Sequence, residues 1–426
     1  MTVETLPPSR LPDGLRAFRH RNFRVFWFGM LVSLTGTWMQ QVGQAWLVLQ
    51  LTNDPIALGL VAAAQFMPVL IFGLFGGIVA DAVSKRRALF VTQTVAGLLA
   101  LILALLVASE LVQVWHVFVL ALLLGVVNAF DMPIRQSFTI ELTGREDVAN
   151  AVALNSAVFN LTRIIGPAIA GLTIAAIGIA PLFFINAASY VAMIVGLLLM
   201  RPHAMHPPSA LVVLERNWRS IVDRLVEGLR YVRRDKTIFL AISVLGTVSL
   251  FALNFSVMIP LVARDLLGGD ADTYGFLMSA TGVGSLLSAL TIAFGAQPTM
   301  RRLLVGAAVI GISMIGLGIS RNLFLSLGLM FLAGWGTIAM AATCNTLIQL
   351  SVPDVLRGRV ASVYTTVFAG STPFGGLFSG VLAAIGGPGA ALVVGGSMAV
   401  LAALVGFSQI PGGSRLTRRA ERVSMT

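Results

Sequence analysis

Runs of apolar residues, each about as long as the roughly 20 residues a helix needs to cross a hydrocarbon core, recur along this chain with short clusters of charge between them. Spanning helices satisfy their own backbone polar groups, so the runs are read as helices and not as strands. The composition agrees: 57% of the 426 residues are hydrophobic and only 11% are charged, and the mean hydropathy of +0.89 lies beyond that of soluble domains. The breaks predict twelve spans, near 24–51, 56–80, 88–109, 114–138, 151–179, 181–200, 238–263, 274–295, 303–319, 323–350, 360–385 and 390–410. The lone Cys344 lies inside one of them, which removes any disulfide framework or cysteine metal site.

Of the 29 Lys and Arg residues, all but Arg163, Arg264 and Arg321 fall in the two tails or in alternate connections. The positive-inside rule then predicts both termini in the cytoplasm, with the protein in the plasma (inner) membrane. The first 23 residues read as a cytoplasmic tail without a cleavage-type sequence. The net charge of +11 follows from this asymmetry. The basic residues are scattered over seven segments, so no nucleic-acid surface is expected.

Domains are read as a tail (1–23), a six-helix bundle (24–200), a cytoplasmic linker (201–237), a second six-helix bundle (238–410) and a second tail (411–426). In the linker, Trp218, Ile221, Val222, Leu225, Val226, Leu229 and Val232 recur at helical spacing among Arg and Glu. This is the pattern of an amphipathic helix on the inner membrane surface, the alternative being a plain tether. The halves echo each other. "LNSAVFNLTRIIGPAIAG" in span five and "VASVYTTVFAGSTPFGG" in span eleven both place a proline, Pro167 or Pro373, thirteen positions after the first residue quoted. Repeated six-helix halves with the working site between them are a transporter architecture.

The stretch "GGIVADAVSKRR" crowds four charges between two apolar runs. Asp81 stands at the cytoplasmic end of span two, where a neighbouring helix N-terminus attracts it; the partner expected is span eleven, beginning near Arg359 and Val360. Asp81 would latch the halves while Lys85, Arg86 and Arg87 anchor the loop in water. The plainer reading makes all four topology determinants.

These residues carry a resemblance. The stretch is similar to the G-x-x-x-D-R-x-G-R-R loop motif of the major facilitator superfamily, with Ala82 and Ser84 where that motif has Arg and Gly. "MPIRQSFTIEL", "NAVALNS", "RIIGPAIAG" and "LRGRVASVY" resemble its drug:proton antiporter branch of multidrug, macrolide and enterobactin exporters. The resemblance covers residues 18 to about 408. It implies an all-α membrane protein of twelve transmembrane helices in two pseudo-symmetric six-helix bundles. It also implies secondary active export of a small amphipathic molecule, drug or siderophore-like, by alternating access and proton antiport. Gly166, Pro167 and Gly171, with Pro373 in the second half, read as helix-bending positions. In the resembling family a Gly-Pro pair in span five accompanies exporters.

Charge inside the membrane costs about 2.5 to 3.5 kcal/mol per residue on insertion scales, so Asp131 and Arg163 are expected to avoid lipid. Adjacent spans bring them near each other, and Asp131 is the candidate proton-coupling acid with Arg163 as its neighbour; a permanent structural ion pair is the alternative. On span one, Ser33, Gly36, Thr37, Gln40 and Gln44 form one polar stripe, expected to line the central path or else to pack helices. Asn128, Asn254, Met258, Asn345, Gln349 and Tyr364 are further cavity candidates.

No catalytic centre is expected. His20, His116, His203 and His206 all lie at or beyond span ends, which argues against an intramembrane enzyme. The remaining rivals are a proton-coupled importer of a small metabolite and a transport-inactive membrane sensor. The expected partners are a small-molecule substrate, protons and the lipid bilayer, for a monomer with no cofactor and no metal.

Overall fold

The computed structural model describes residues 12–206, 218–295 and 297–409, with the side chains of residues 74, 77, 78, 81, 82 and 218–224 outside the described ones. Several helices begin where a side chain satisfies the first free backbone N–H groups. Asp54 accepts from the Ile56 N–H ahead of α2 (Pro55–Ala82), with Pro55 at the first helical position. Asp235 accepts from Thr237 and Ile238 ahead of α7 (Lys236–Phe251), Thr299 from Arg302 ahead of α10 (Met300–Ile319), and Asn322 from Leu325 ahead of α11 (Leu323–Ser351). The other helices are α1 (Arg21–Thr52), α3 (Lys85–Ala108), α4 (Val114–Ile177), α5 (Ile179–Leu199), α6 (Trp218–Arg234), α8 (Phe255–Leu261), α9 (Ala271–Ala293) and α12 (Asp354–Gln409).

Two of these are too long to be single spans. At 1.5 Å per residue, the 64 residues of α4 would extend about three bilayer cores. The chain turns back inside it at Gly144 (φ 71°), and inside α12 at Gly387 (φ 79°). A left-handed φ is open to glycine without a Cβ clash. Spans four and five are therefore two limbs of α4, and spans eleven and twelve two limbs of α12. The chain reversals fall on these glycines, and Pro167 and Pro373 lie within helix, in the limbs of spans five and eleven.

Span seven is discontinuous: α7 ends at Phe251, α8 begins at Phe255, and a π-helical turn, Val262–Leu266, closes it. Among the described residues nine helices are long and apolar enough to cross a membrane, two of them twice. α1 completes the twelve spans, its polar stripe having lowered its hydropathy. The structure is two bundles of six spans.

Within the second bundle, glycine sets the spacing. A Cβ on Gly284 would overlap the Phe331 carbonyl, one on Gly334 the Thr281 carbonyl, and one on Gly395 the Phe251 carbonyl. Small residues let helices touch backbone to backbone where lipid supplies no hydrophobic drive.

The halves meet through α2 against α12 and α4 against α9. Gly59 abuts Gly376, Gly380 abuts Pro55, Gly171 abuts Asp272, and Gly275 abuts the Pro167 carbonyl. These contacts lie toward the end of the bundle where α2 begins and the first limb of α12 finishes, the far end. Between α2 and α12 such glycine contacts reach inward to Leu70 and Gly370, about 22 to 24 Å down at 1.5 Å per residue.

Candidate functional site

Asp131 is 4% exposed, about 20 Å from the Gly144 turn along the first limb of α4. It is fully engaged. Thr92 Oγ1 (2.6 Å) and Gln93 Nε2 (2.8 Å) donate to Oδ1, and Arg135 Nη2 (2.6 Å) and Nε (3.1 Å) donate to Oδ2. Arg135 stands one helical turn along α4, so the spacing i,i+4 puts acid and base on one face. This corrects the expected partner: Asp131 pairs with Arg135, and Arg163 sits elsewhere. Arg135 lies within the expected span 114–138, four residues from Asp131, and the charge pattern groups it with the basic residues around the connection that follows.

The network continues through the first half. Ser33 Oγ donates to Gln93 Oε1 (3.3 Å), Thr37 Oγ1 and Tyr190 Oη lie 3.4 Å apart, and Asn186 donates to Gln40. Gly36 lies against Ser189 and Asn186 with no room for a Cβ. The stripe on span one therefore faces α3 and α5 inside the first bundle, correcting the expectation that all of it lines the central path. Polar residues there found buried polar partners. Gln44 is the exception. It donates to Gln65 Oε1 (3.1 Å), and both line a small cavity with Gln41, Phe66 and Ser256, the last from the other half.

The remaining candidates are dispersed. Asn254 and Met258 are buried in and beside the break of span seven, with Asn254 donating to the Leu250 carbonyl. Tyr364 donates to the Ala341 carbonyl (3.2 Å) and stacks on Phe368. Gln349 reaches Asn345 at 3.5 Å on an exposed face, and Asn128 is half-buried on α4. A larger apolar cavity of about 330 Å³ between α2, α7 and α12 is lined by Leu70, Leu250, Val367 and Phe374, none of which the sequence had singled out.

At the terminus-bearing end the basic cluster does more than stand in water. Lys85 is 9% exposed and pairs with Glu141 at 2.7 Å; Arg86 donates to the Leu197 (2.7 Å) and Leu198 (3.1 Å) carbonyls at the end of α5. Arg87 alone of the three is exposed. The side chain of Asp81 lies outside the described residues. Arg359 forms an ion pair with Glu227 of α6, whose Gly228 packs on the Arg359 carbonyl.

Sequence reading missed a second cluster. Asp147 is fully buried beside Arg16 (2.7 Å), Arg19 (2.7 Å) and His20 (2.8 Å), while Asn150 ties down the 3-10 turn Asp13–Arg19. Burial would raise the Asp147 carboxyl, but the His20 hydrogen bond and the charges of Arg19, His20 and Arg16 outweigh it and hold it below its ordinary value. Burial lowers the His20 imidazole, against the opposing pull of Asp147. No spacing rule links residues 16–20 with 147.

A membrane-buried acid in a fully donated network, inside one of two six-span bundles packed backbone to backbone, is the architecture of a membrane transporter of the major facilitator type. The transmembrane secretion effector family matches residues 13–420. The chain belongs to that family. It is 30% identical to the multidrug efflux pump Tap of Mycolicibacterium fortuitum over 84% of this chain and 88% of the relative. With the staphyloferrin A transporter of Staphylococcus aureus it shares 22% identity over 85% and 90% of the two chains. A point mutant of the nucleoside transporter NupG superposes with a TM-score of 0.75 at 12% identity, over 92% of this chain and all of the other, which is a likeness of fold.

Proposed function

We propose that this protein exports a small amphipathic molecule, drug or siderophore-like, across the plasma (inner) membrane by alternating access, in exchange for protons. The relatives named as efflux and siderophore transporters support the direction and the substrate class. The observation that carries the coupling is Asp131, an acid held at mid-depth by four donated hydrogen bonds.

Protonation of Asp131 cancels the charge that holds Arg135, Thr92 and Gln93 on one point. The freed Arg135 then needs another acceptor, and its Nη1 is already buried without one. Leaving a buried donor unpaired costs about 1 to 3 kcal/mol, enough to shift a two-state equilibrium several-fold or more. The network spans α1, α3 and α4, and α4 packs on α9 of the second half, so its rearrangement would be felt where the halves meet. Thus the proton changes which state of the halves is favoured, and substrate leaves as it enters.

In everted membrane vesicles energised by a proton gradient, the wild type should accumulate a fluorescent amphipathic substrate. Asp131→Asn should abolish accumulation against the gradient and leave substrate binding within about twofold. Normal uphill pumping by the Asn variant would remove Asp131 from the coupling, and accumulation running in the opposite direction would make the protein an importer.

A further inference from the structure

Arg163 lies about 21 Å from the far end of α4, in the limb that packs against α9 of the other half. Its neighbour Ile164 accepts a hydrogen bond from Ser279 of α9 (2.7 Å), and its own carbonyl faces Gly282. The guanidinium sits 6.0 Å over the ring of Trp38 from α1. Phe159, one turn along α4, meets Trp38 edge-on at 5.7 Å and is 47% exposed.

No carboxylate answers this cation among the described residues. Arg135 has Asp131, Arg16 and Arg19 have Asp147, Arg359 has Glu227, Arg264 has Asp265 and Arg357 has Asp354. A cation–π contact is worth less than the penalty for holding a guanidinium at this depth. Intramembrane charges of this kind face the bundle interior or an aqueous path and mark where something charged passes. Arginine presents a planar fork of donors that matches an oxyanion in two places at once.

We infer that Arg163, Trp38 and Phe159 form a subsite for the carboxylate of an aromatic or flat apolar substrate, the acid on the fork and the ring against the two aromatic side chains. The inference rests on the export reading and narrows it to an anionic amphiphile. A cation of similar shape would meet the guanidinium as a like charge.

The test uses the purified full chain in neutral detergent with three probes of one shape: 2-naphthoate, its methyl ester and 2-naphthylmethylammonium. Cys344 is the only cysteine and is buried, so a thiol-reactive dye reports unfolding of the whole chain. Naphthoate should raise the unfolding midpoint while the ester, the ammonium and inorganic phosphate at the same concentration leave it unmoved. Arg163→Gln should weaken naphthoate binding at least about tenfold, Arg163→Lys less, and Trp38→Leu should weaken it while keeping the preference for acid over ester. Equal stabilisation by ester, ammonium or phosphate overturns the subsite, as does no response of the wild type to naphthoate or unchanged binding by Arg163→Gln. Should that variant fail to fold, the wild-type probe series decides. Binding of naphthoate without any flux would sink the export reading alone; uphill flux of a cationic dye with indifference to naphthoate would sink this inference alone.

Discussion

Asp147 and His20 show how a few residues set a pH dependence. Both groups have values lowered on folding, so the unfolded chain binds more protons and stability falls as pH falls. For His20 the loss begins as pH drops below its ordinary value of 6.5, and for Asp147 below 3.8. Between pH 7.5 and 5 the unfolding midpoint, followed by tryptophan fluorescence, should therefore decline, and His20→Gln should flatten that decline. Asp147→Asn should cost about 2 kcal/mol at neutral pH, the scale of hydrogen bonds to a charged group. A midpoint that rises on acidification would contradict the sign. At this scale the sequence was partly legible. Intramembrane cost picks out Asp131, which is buried, yet it says nothing of partners: Arg135 lies within the same span but groups with the connection charges, and residues 16 to 20 meet 147 only in the fold.

Among the elements, α9 and α11 are fixed by Gly284 and Gly334, each pressed on a facing carbonyl. Gly334→Ala should destabilise by about 1 to 3 kcal/mol through overpacking, while Gly328→Ala on the same helix, with open space around it, should be neutral or stabilising because alanine is the better helix former. Thermal unfolding of the two variants side by side checks this. Equal effects would mean that the helix spacing is set elsewhere. The spans themselves were readable, because hydropathy and length are local properties. Their breaks were readable too: the expected connections 139–150 and 386–389 contain Gly144 and Gly387, whose left-handed backbone reverses the chain, while Pro167 and Pro373 stay within helix. The span-one stripe was found as a stripe and aimed the wrong way, since periodicity fixes which residues share a face and not which neighbour that face meets.

For the molecule as a whole, the bias of Lys and Arg gives a direct test of orientation. With Cys344 buried, a cysteine placed at Asp270 should label with an impermeant reagent in intact cells, and one at Ser84 should not; both positions are exposed in the structure. The reverse pattern would invert the topology. The two-bundle plan was legible from the weak echo of spans five and eleven, but the contact between the halves was not, because it depends on which faces meet in the fold. That contact is backbone on backbone: Gly59 on Gly376, Gly380 on Pro55, Gly171 on Asp272, Gly275 on Pro167. Such a seam holds few rotamers to reorder and few side chains to rehydrate when it parts. It therefore resists parting through close packing alone, and its strength is set by how nearly the two backbones fit.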